Sequence, residues 1–443
     1  MELQESRSYD ATAGLEVRLM DYGHNVTIYT QVLNSLGPLE GVNTVETVLP
    51  DAYDRSEESA IFRDLMWHSD YTPGGLIPSY RVGYQYVSHS WESESFQRIK
   101  SHKWDLIIGD EMFANPGISI ALDQNARFGA KIAMFSTTDL FPAYSRLKGL
   151  WRNPIIAPNY YTRHTRCRFS PNDFYNRLIT FIDAISDFFV LEHVPLSWIR
   201  KTLLRFGISE FQWSDIYSKA QVTFIDYPDR YSWPTAVSNH VIYTGSYCKG
   251  AGTLPADLEE FMNDKRKKGV IYVAFGSIVN WEWAPCDTID KFLTTFRHFP
   301  EYNFIFSFKL AGYPIEKAGP NVKVLSWAPQ KEILAHKRTV LFFTHGGLKS
   351  LKEGICSGKP LLVLPFFADQ FRNAANMIHL GFAETLVKTD LTTSNMVKQI
   401  RKMLADKKYE KNIVKVHICS QITWILLKKA FFGPKKCFDQ TEE

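Results

Sequence analysis

At 443 residues the chain is long enough for two or three domains, and its 45% hydrophobic and 22% charged residues are the balance of a globular protein that can bury large cores. The formal charge of +4 is small and the basic residues are scattered, so nucleic acid is excluded as an expected partner. Cys167, Cys248, Cys286, Cys356, Cys419 and Cys437 form no CxxC pair and show no His clustering at metal-ligand spacing, so neither a metal site nor a disulfide framework is expected.

The opening segment, residues 1–14, is polar and unsuited to a buried first strand, and it lacks the charged-then-apolar pattern of a signal peptide. Asn25 to Thr30, Trp104 to Ile108, Ala130 to Phe135 and Val222 to Ile225 read as strands of an irregular first half. Asn25-Val26-Thr27 is a glycosylation sequon, but it opens a strand, and a buried structural Asn is expected there. Between about Arg163 and Arg205 an aromatic-rich helical insertion reads as an ordinary core-packing subdomain. The Gly/Pro-rich run Cys248-Lys-Gly-Ala-Gly-Thr-Leu-Pro255 is a connection, which divides the chain into 1–247, a linker 248–255, and 256–412.

From Gly269 onward short apolar runs alternate with helical patterns. Val270 to Phe275, Asn303 to Phe308, Val322 to Ser326, Val340 to Phe343 and Leu361 to Pro365 read as strands; Asp287 to Phe299, Gln330 to His336, Gly347 to Ser357 and Asp369 to Leu380 read as helices. This alternation predicts an α/β, doubly wound parallel domain. In the tail, 413–443, the apolar stretch Ile413 to Phe432 is interrupted by Lys415, His417, Gln421, Lys428 and Lys429. Its uninterrupted core, Ile418 to Leu427, is about half of the roughly 20 residues a spanning helix requires.

The most informative stretch runs from Trp327 to Asn373. In it the apolar strand Val340 to Phe343 leads into Thr344-His345-Gly346-Gly347 and then a helix, the corner at which α/β folds bind phosphates. Glycines let backbone approach a ligand, while the first helical N–H groups and the peptide dipoles favour an anion. Gly347, Ser350 and Glu353 fall three residues apart on one helix face. Lys349 and Lys352 share another face and are expected to point to water. Two rival phosphate motifs fail: no Gly-x-Gly-x-x-Gly follows a strand, and Gly354-Ile-Cys-Ser-Gly358-Lys359-Pro360 is one residue short of a P-loop.

Across Trp327 to Asn373 the residues resemble the UDP-glycosyltransferases, including the animal UDP-glucuronosyltransferases. Weaker similarity extends to Phe275-Gly276-Ser277, Val241-Ile-Tyr-Thr-Gly245 and Gly23-His24-Asn25-Val26-Thr27. The resemblance implies a GT-B fold of two facing Rossmann-like domains, the first binding a small lipophilic acceptor and lacking its first strand here, the second binding UDP-sugar. Carried over by position, Trp327 stacks on uracil, Gln330 bonds the nucleoside, and Glu353 holds the ribose hydroxyls. His345, Gly347 and Ser350 hold the diphosphate, Asp369 and Gln370 take the sugar hydroxyls, and Ser277 joins the donor set. No cofactor and no metal is implied beyond the donor, because the helix terminus and His345 neutralise the diphosphate. The family also implies the endoplasmic reticulum membrane as location, with membrane association, and an oligomer is compatible with it.

An inverting transfer needs a general base to take the acceptor's proton. The family uses a His oriented by a buried Asp, and Asp110, ending the strand Trp104-Asp-Leu-Ile-Ile-Gly-Asp110, matches that Asp. The position of the His is occupied by Ser8. His24 belongs to a later element, and Ser88-His89-Ser90 stands in the wrong part of the domain. The leading expectation is transfer of glucose or glucuronic acid to a small lipophilic acceptor. A catalytically silent UDP-sugar-binding homologue or partner subunit is the alternative; a nicotinamide-dependent oxidoreductase lacks its glycine fingerprint.

Overall fold

The computed structural model describes residues 19–431 except 21–22, 33–36, 38–41, 50–62, 70–76, 112–113, 140–141, 151–152, 154–155, 158–168, 229–230, 232, 234–235, 237, 249, 278 and 310–317. Ser8 and the polar opening segment therefore lie outside the described residues.

In the first half, β1 (Thr27–Val32) pairs with β2 (Asn43–Val48), and α1 (Ile77–Ser90) and α2 (Glu94–Ser101) follow. Next come β3 (Leu106–Asp110), α3 (Ala114–Phe128), β4 (Lys131–Ser136), α4 (Pro142–Leu147), α5 (Phe174–Arg205), α6 (Trp213–Tyr217), β5 (Ala220–Ile225) and β6 (Val241–Tyr243). Strands β3-β4-β5-β6 form a parallel sheet in that order. Helix α3 lies close against β3 because two glycines face each other: a Cβ on Gly117 would stand 3.2 Å from Gly109 Cα. That close approach fixes the end of β3, where Asp110 sits.

The second half runs α7 (Ala256–Met262), β7 (Gly269–Ala274), α8 (Thr288–Arg297), β8 (Tyr302–Ser307), β9 (Val322–Leu325), α9 (Gln330–Ala335) and β10 (Thr339–Thr344). It continues through α10 (Leu348–Cys356), β11 (Leu361–Val363), α11 (Gln370–His379), β12 (Ala383–Thr385), α12 (Thr393–Ala405) and α13 (Lys408–Phe431). Its six parallel strands are ordered β12-β11-β10-β7-β8-β9. Read from β9, this is the 3-2-1-4-5-6 order of a doubly wound nucleotide-binding sheet, with a topological switch point between β7 and β10. All six residues of β7 are buried, as expected for a parallel strand covered on both faces. Helix α8 buries Ile289, Phe292, Leu293 and Phe296 along one stripe. Phe296 stacks on Phe304 of β8 at 4.3 Å between ring centroids.

Four expectations are corrected. Asn25 is exposed and precedes β1 rather than being buried within a strand. Only the C-terminal part of α5, through Leu196, Ile199 and Leu203, enters the core. Its N-terminal part leaves Phe174 68% and Phe189 60% exposed and buries polar residues instead, Thr180, Asp183 and Asp187. Lys352 is buried rather than solvated. Cys248 and Cys356, 108 residues apart, form a disulfide with Cα atoms 5.5 Å apart; so wide a separation leaves no spacing signal in the sequence. Among the described residues no helix is long and apolar enough to cross a membrane.

The disulfide joins α10 to the chain just after β6. Closing so long a loop constrains the unfolded chain, so Cys248→Ser with Cys356→Ser is expected to lower unfolding stability by about 2–5 kcal/mol. Equilibrium denaturation in urea reads this, and an unchanged midpoint with an unchanged slope would count against the bond.

Candidate active site

The site forms at the carboxyl ends of β7 and β10, on either side of the switch point. After β7 the chain turns at Gly276, whose φ of 70° favours glycine. The turn buries the Ser277 hydroxyl oxygen, which has no hydrogen-bond partner among the described residues. After β10, His345 is buried and Gly346 takes a φ of 85°. A Cβ on Gly346 would stand 2.7 Å from Val363 Cγ1, and one on Gly347 would strike His345 Nε2. The His345-Gly346-Gly347 corner is therefore shaped by the absence of side chains. Gly347 caps α10 without any side-chain hydrogen bond, so the helix presents its first N–H groups and positive dipole end to whatever occupies the corner.

One and two turns into that helix network lie Ser350 and Glu353. Gln330, the first residue of α9, donates through Nε2 to Ser350 Oγ at 3.2 Å and to Glu353 Oε2 at 2.5 Å. Its carbonyl oxygen accepts from the Tyr272 hydroxyl at 3.2 Å. Three of the predicted donor residues thus meet in one network, with Tyr272 as a member the sequence did not reveal. Trp327, between β9 and α9, is 72% exposed. An indole with so much open face is a platform for a planar base.

Asp369 and Gln370 begin α11 after the loop that follows β11. Gln370 Oε1 accepts from Phe366 N at 2.8 Å and Phe367 N at 3.2 Å, closing that loop on itself. The intervening Ala368 has a φ of 54°, the one positive value at a non-glycine among the described residues. Local backbone strain of this kind gathers at binding sites. Asn373 Nδ2 bridges the two loops, donating to Asp369 Oδ2 at 2.8 Å and to Gly346 O at 3.0 Å. Burial pushes the Asp369 carboxyl up to about 6, with Asn373 opposing the rise and the Asp139 charge adding to it. Asn373 lies four residues after Asp369, a helical spacing that could have identified it from sequence.

Asp110 stands at the end of β3, opposite Phe135 of β4. Burial, then the charges of Glu111 and Asp110, holds the Tyr80 hydroxyl well above the ordinary tyrosine range, so the two carboxylates and this phenol share one neighbourhood. Glu111 in turn accepts from the Tyr217 hydroxyl at 3.0 Å. Glu111, Tyr80 and Tyr217 had no sequence signal, since they meet only through the fold.

Lys352 reaches across to the first half. Its Nζ donates to Asp226 Oδ1 at 2.6 Å and to Tyr247 Oη at 3.0 Å, and lies 4.2 Å from the Tyr247 ring centroid. Burial works against its charge, but Asp226 and then Tyr247 outweigh it and raise its pKa above the ordinary lysine value. Nearby, Asn376 donates to the Tyr227 hydroxyl at 2.7 Å and Trp233 stacks on His379 at 3.8 Å.

The sequence pattern of the family described as "UDP-glucoronosyl and UDP-glucosyl transferase" matches residues 146–422, more than half of the chain. A UDP-glucuronosyltransferase of Pleuronectes platessa is 37% identical over 188 residues, covering 42% of this chain and 39% of that protein. UDP-glucuronosyltransferase 3A2 of Mus musculus is 28% identical, covering 54% of this chain and 46% of that protein. The chain thus spans less than half the length of these two relatives. UDP-glycosyltransferase UGT5 of Dactylopius coccus is 25% identical, covering 90% of this chain and 74% of that protein. Among solved structures, the calicheamicin glycosyltransferase CalG4 has a TM-score of 0.58 at 16% identity, covering 96% of this chain and 95% of its own. Os79 of O. sativa, in complex with UDP, has a TM-score of 0.58 at 14% identity, covering 92% and 91%. The likeness covers nearly the whole chain and is that of the GT-B glycosyltransferase fold. The chain therefore belongs to the family of UDP-glucuronosyl and UDP-glucosyl transferases.

Proposed function

We propose that the protein binds UDP-glucose or UDP-glucuronic acid in its second half and directs the sugar, with inversion at C1, to a small lipophilic acceptor held by the first. The observation that carries this is the His345-Gly346-Gly347 corner at the switch point, with Gln330, Ser350 and Glu353 joined beside it. In this reading Trp327 stacks on uracil, Gln330 bonds the nucleoside and Glu353 accepts from the ribose hydroxyls. His345, Gly347, Ser350 and Ser277 surround the diphosphate, and Asp369 with Gln370 bonds the sugar. The helix terminus and His345 offset the diphosphate charge, so the transfer is metal-independent in this proposal.

In this reading Asp110 is placed to orient an imidazole base and make it more basic; by sequence position that imidazole corresponds to Ser8, so transfer by this chain is expected to be slow. The Cys248–Cys356 disulfide supports an oxidising compartment such as the lumen of the endoplasmic reticulum.

UDP is expected to stabilise the protein against heat, by about 2.7 kcal/mol at a hundredfold excess over its Kd. His345→Ala should remove most of the thermal shift, and Glu353→Ala should weaken it. Equal shifts in the wild type and in His345→Ala would sink the assignment.

A further inference from the structure

Residues 63–68 stand between β2 and α1 in the first half, as a short helical segment, yet they pack into the second. Met66 is 1% and Trp67 3% exposed, and among the described residues these two are the first-half members of the apolar cluster built on β7, β8, β10 and α8. The Trp67 indole donates through Nε1 to Asn280 O at 2.9 Å, and Asn280 N donates to Met66 Sδ at 3.0 Å. The indole ring meets Trp281 at 5.6 Å and Phe366, edge-on, at 4.8 Å between centroids. Lys388, itself buried, donates through Nζ to both Leu65 O and Phe366 O.

Adhesion alone would be served by any apolar patch, but this contact falls between two particular loops. Asn280 lies three residues after Ser277 in the loop that follows β7, and Phe366 lies three residues before Asp369 in the loop that follows β11. Phe366 is held on three sides: its N–H by Gln370, its carbonyl by Lys388 and its ring by Trp67. Between Phe366 and Asp369 stands Ala368, with its φ of 54°. A backbone held in that region persists only where surrounding contacts over-determine it. Trp67 and Lys388 supply such contacts from outside the loop.

We propose that residues 63–68 are a positioning element through which the acceptor half holds the Ser277 and Asp369 loops in the shape that takes the donor. This rests on the donor-site reading given above and adds that donor affinity depends on a first-half segment acting through those loops. The dependence is graded along the donor. In that reading the nucleoside is held by Trp327, Gln330 and Glu353, which belong to neither loop. The diphosphate takes one of its groups, Ser277, from the loops, and the sugar takes both of its groups, Asp369 and Gln370, from them.

Binding of UMP, UDP, UDP-glucose and UDP-glucuronic acid to the whole chain, measured by calorimetry, tests this. In Trp67→Ala the Kd of the tighter-binding UDP-sugar should rise by roughly tenfold and that of UDP by about threefold, while that of UMP stays within about twofold, because each ligand loses only the hydrogen bonds made by the displaced loops. Trp67→Phe keeps a ring against Phe366 and drops only the bond to Asn280. It should therefore weaken UDP and the UDP-sugar by the same factor of about two to three and leave UMP unchanged; this variant decides if the Ala variant does not fold. A merely structural loss would weaken all the ligands alike. Equal weakening of every ligand, or an unchanged UDP-sugar Kd in a folded variant, overturns the proposal. Absence of UDP binding in the wild type would instead overturn the donor-site reading.

Discussion

Ser8→His, set in an apolar strand replacing residues 1–7, is expected to raise sugar transfer to a phenolic acceptor by roughly a hundred- to ten-thousand-fold, the usual worth of a positioned general base. A serine hydroxyl at neutral pH cannot accept the acceptor's proton, whereas an imidazole titrates near neutrality. The gain should require Asp110. Asp110→Asn removes the anion that fixes the tautomer and stabilises the imidazolium, so the doubly altered chain should return to the slow rate. Asp110 ends a strand whose position is set by the Gly109 and Gly117 contact, and the substitution keeps size and shape. UDP binding, proposed above to use the other sheet, should be unaffected and serves as the control for folding. Robust turnover by the unaltered chain, indifferent to Asp110→Asn, would show that the base lies elsewhere.

The second large effect concerns stability. Lys352→Ala is expected to cost about 3–5 kcal/mol, because it leaves the Asp226 carboxylate buried without its cation. The pair is inaccessible, with side-chain exposures of 6% and 3%, so solvent does little to screen it. The folded-state pKa of Lys352 is raised, so its contribution is fully present below the unfolded value of 10.5 and is lost only as pH rises through the higher folded value. At neutral pH the whole effect should appear. Lys352→Met combined with Asp226→Leu should recover most of the loss, since an apolar pair of similar volume has no charge to desolvate. Urea denaturation of the single and double variants forms a mutant cycle. A single-variant loss below about 1 kcal/mol would contradict the geometry of this pair.

The donor half was legible because its signals are local. Five of its strands are apolar runs, and nine of the ten site residues singled out from sequence fall between Ser277 and Gln370, in the loops and first helical turns that follow β7, β9, β10 and β11 of one sheet. Strand β12 and strand β6, three residues each, were too short to carry a pattern. Strand β2, Asn-Thr-Val-Glu-Thr-Val, is partly exposed and reads as polar until β1 lies beside it. What the sequence concealed is long-range. Lys352 looked like a solvated helix lysine because Asp226 is 126 residues away. Cys356 looked like a free thiol because Cys248 is 108 residues away. Arg372 carried no signal in the sequence, and only the fold brings Asp139 within 2.8 Å of it. In each case the partner lies more than 100 residues away, which periodicity cannot register.

The bond between Cys248 and Cys356 also has a mechanical meaning. Helix α10 carries the proposed diphosphate corner at its beginning and the covalent tie at its end, with Lys352 pinned to Asp226 and Tyr247 between them. The segment it grips, 226–248, includes β6, which is itself a strand of the first sheet. The edge strand of the four-stranded sheet is therefore tied covalently to a helix that springs from an interior strand of the six-stranded one. Parting the halves here would break a covalent bond and strip the buried Asp226 carboxylate of its cation, so this seam is expected to stay closed when other contacts between the halves loosen.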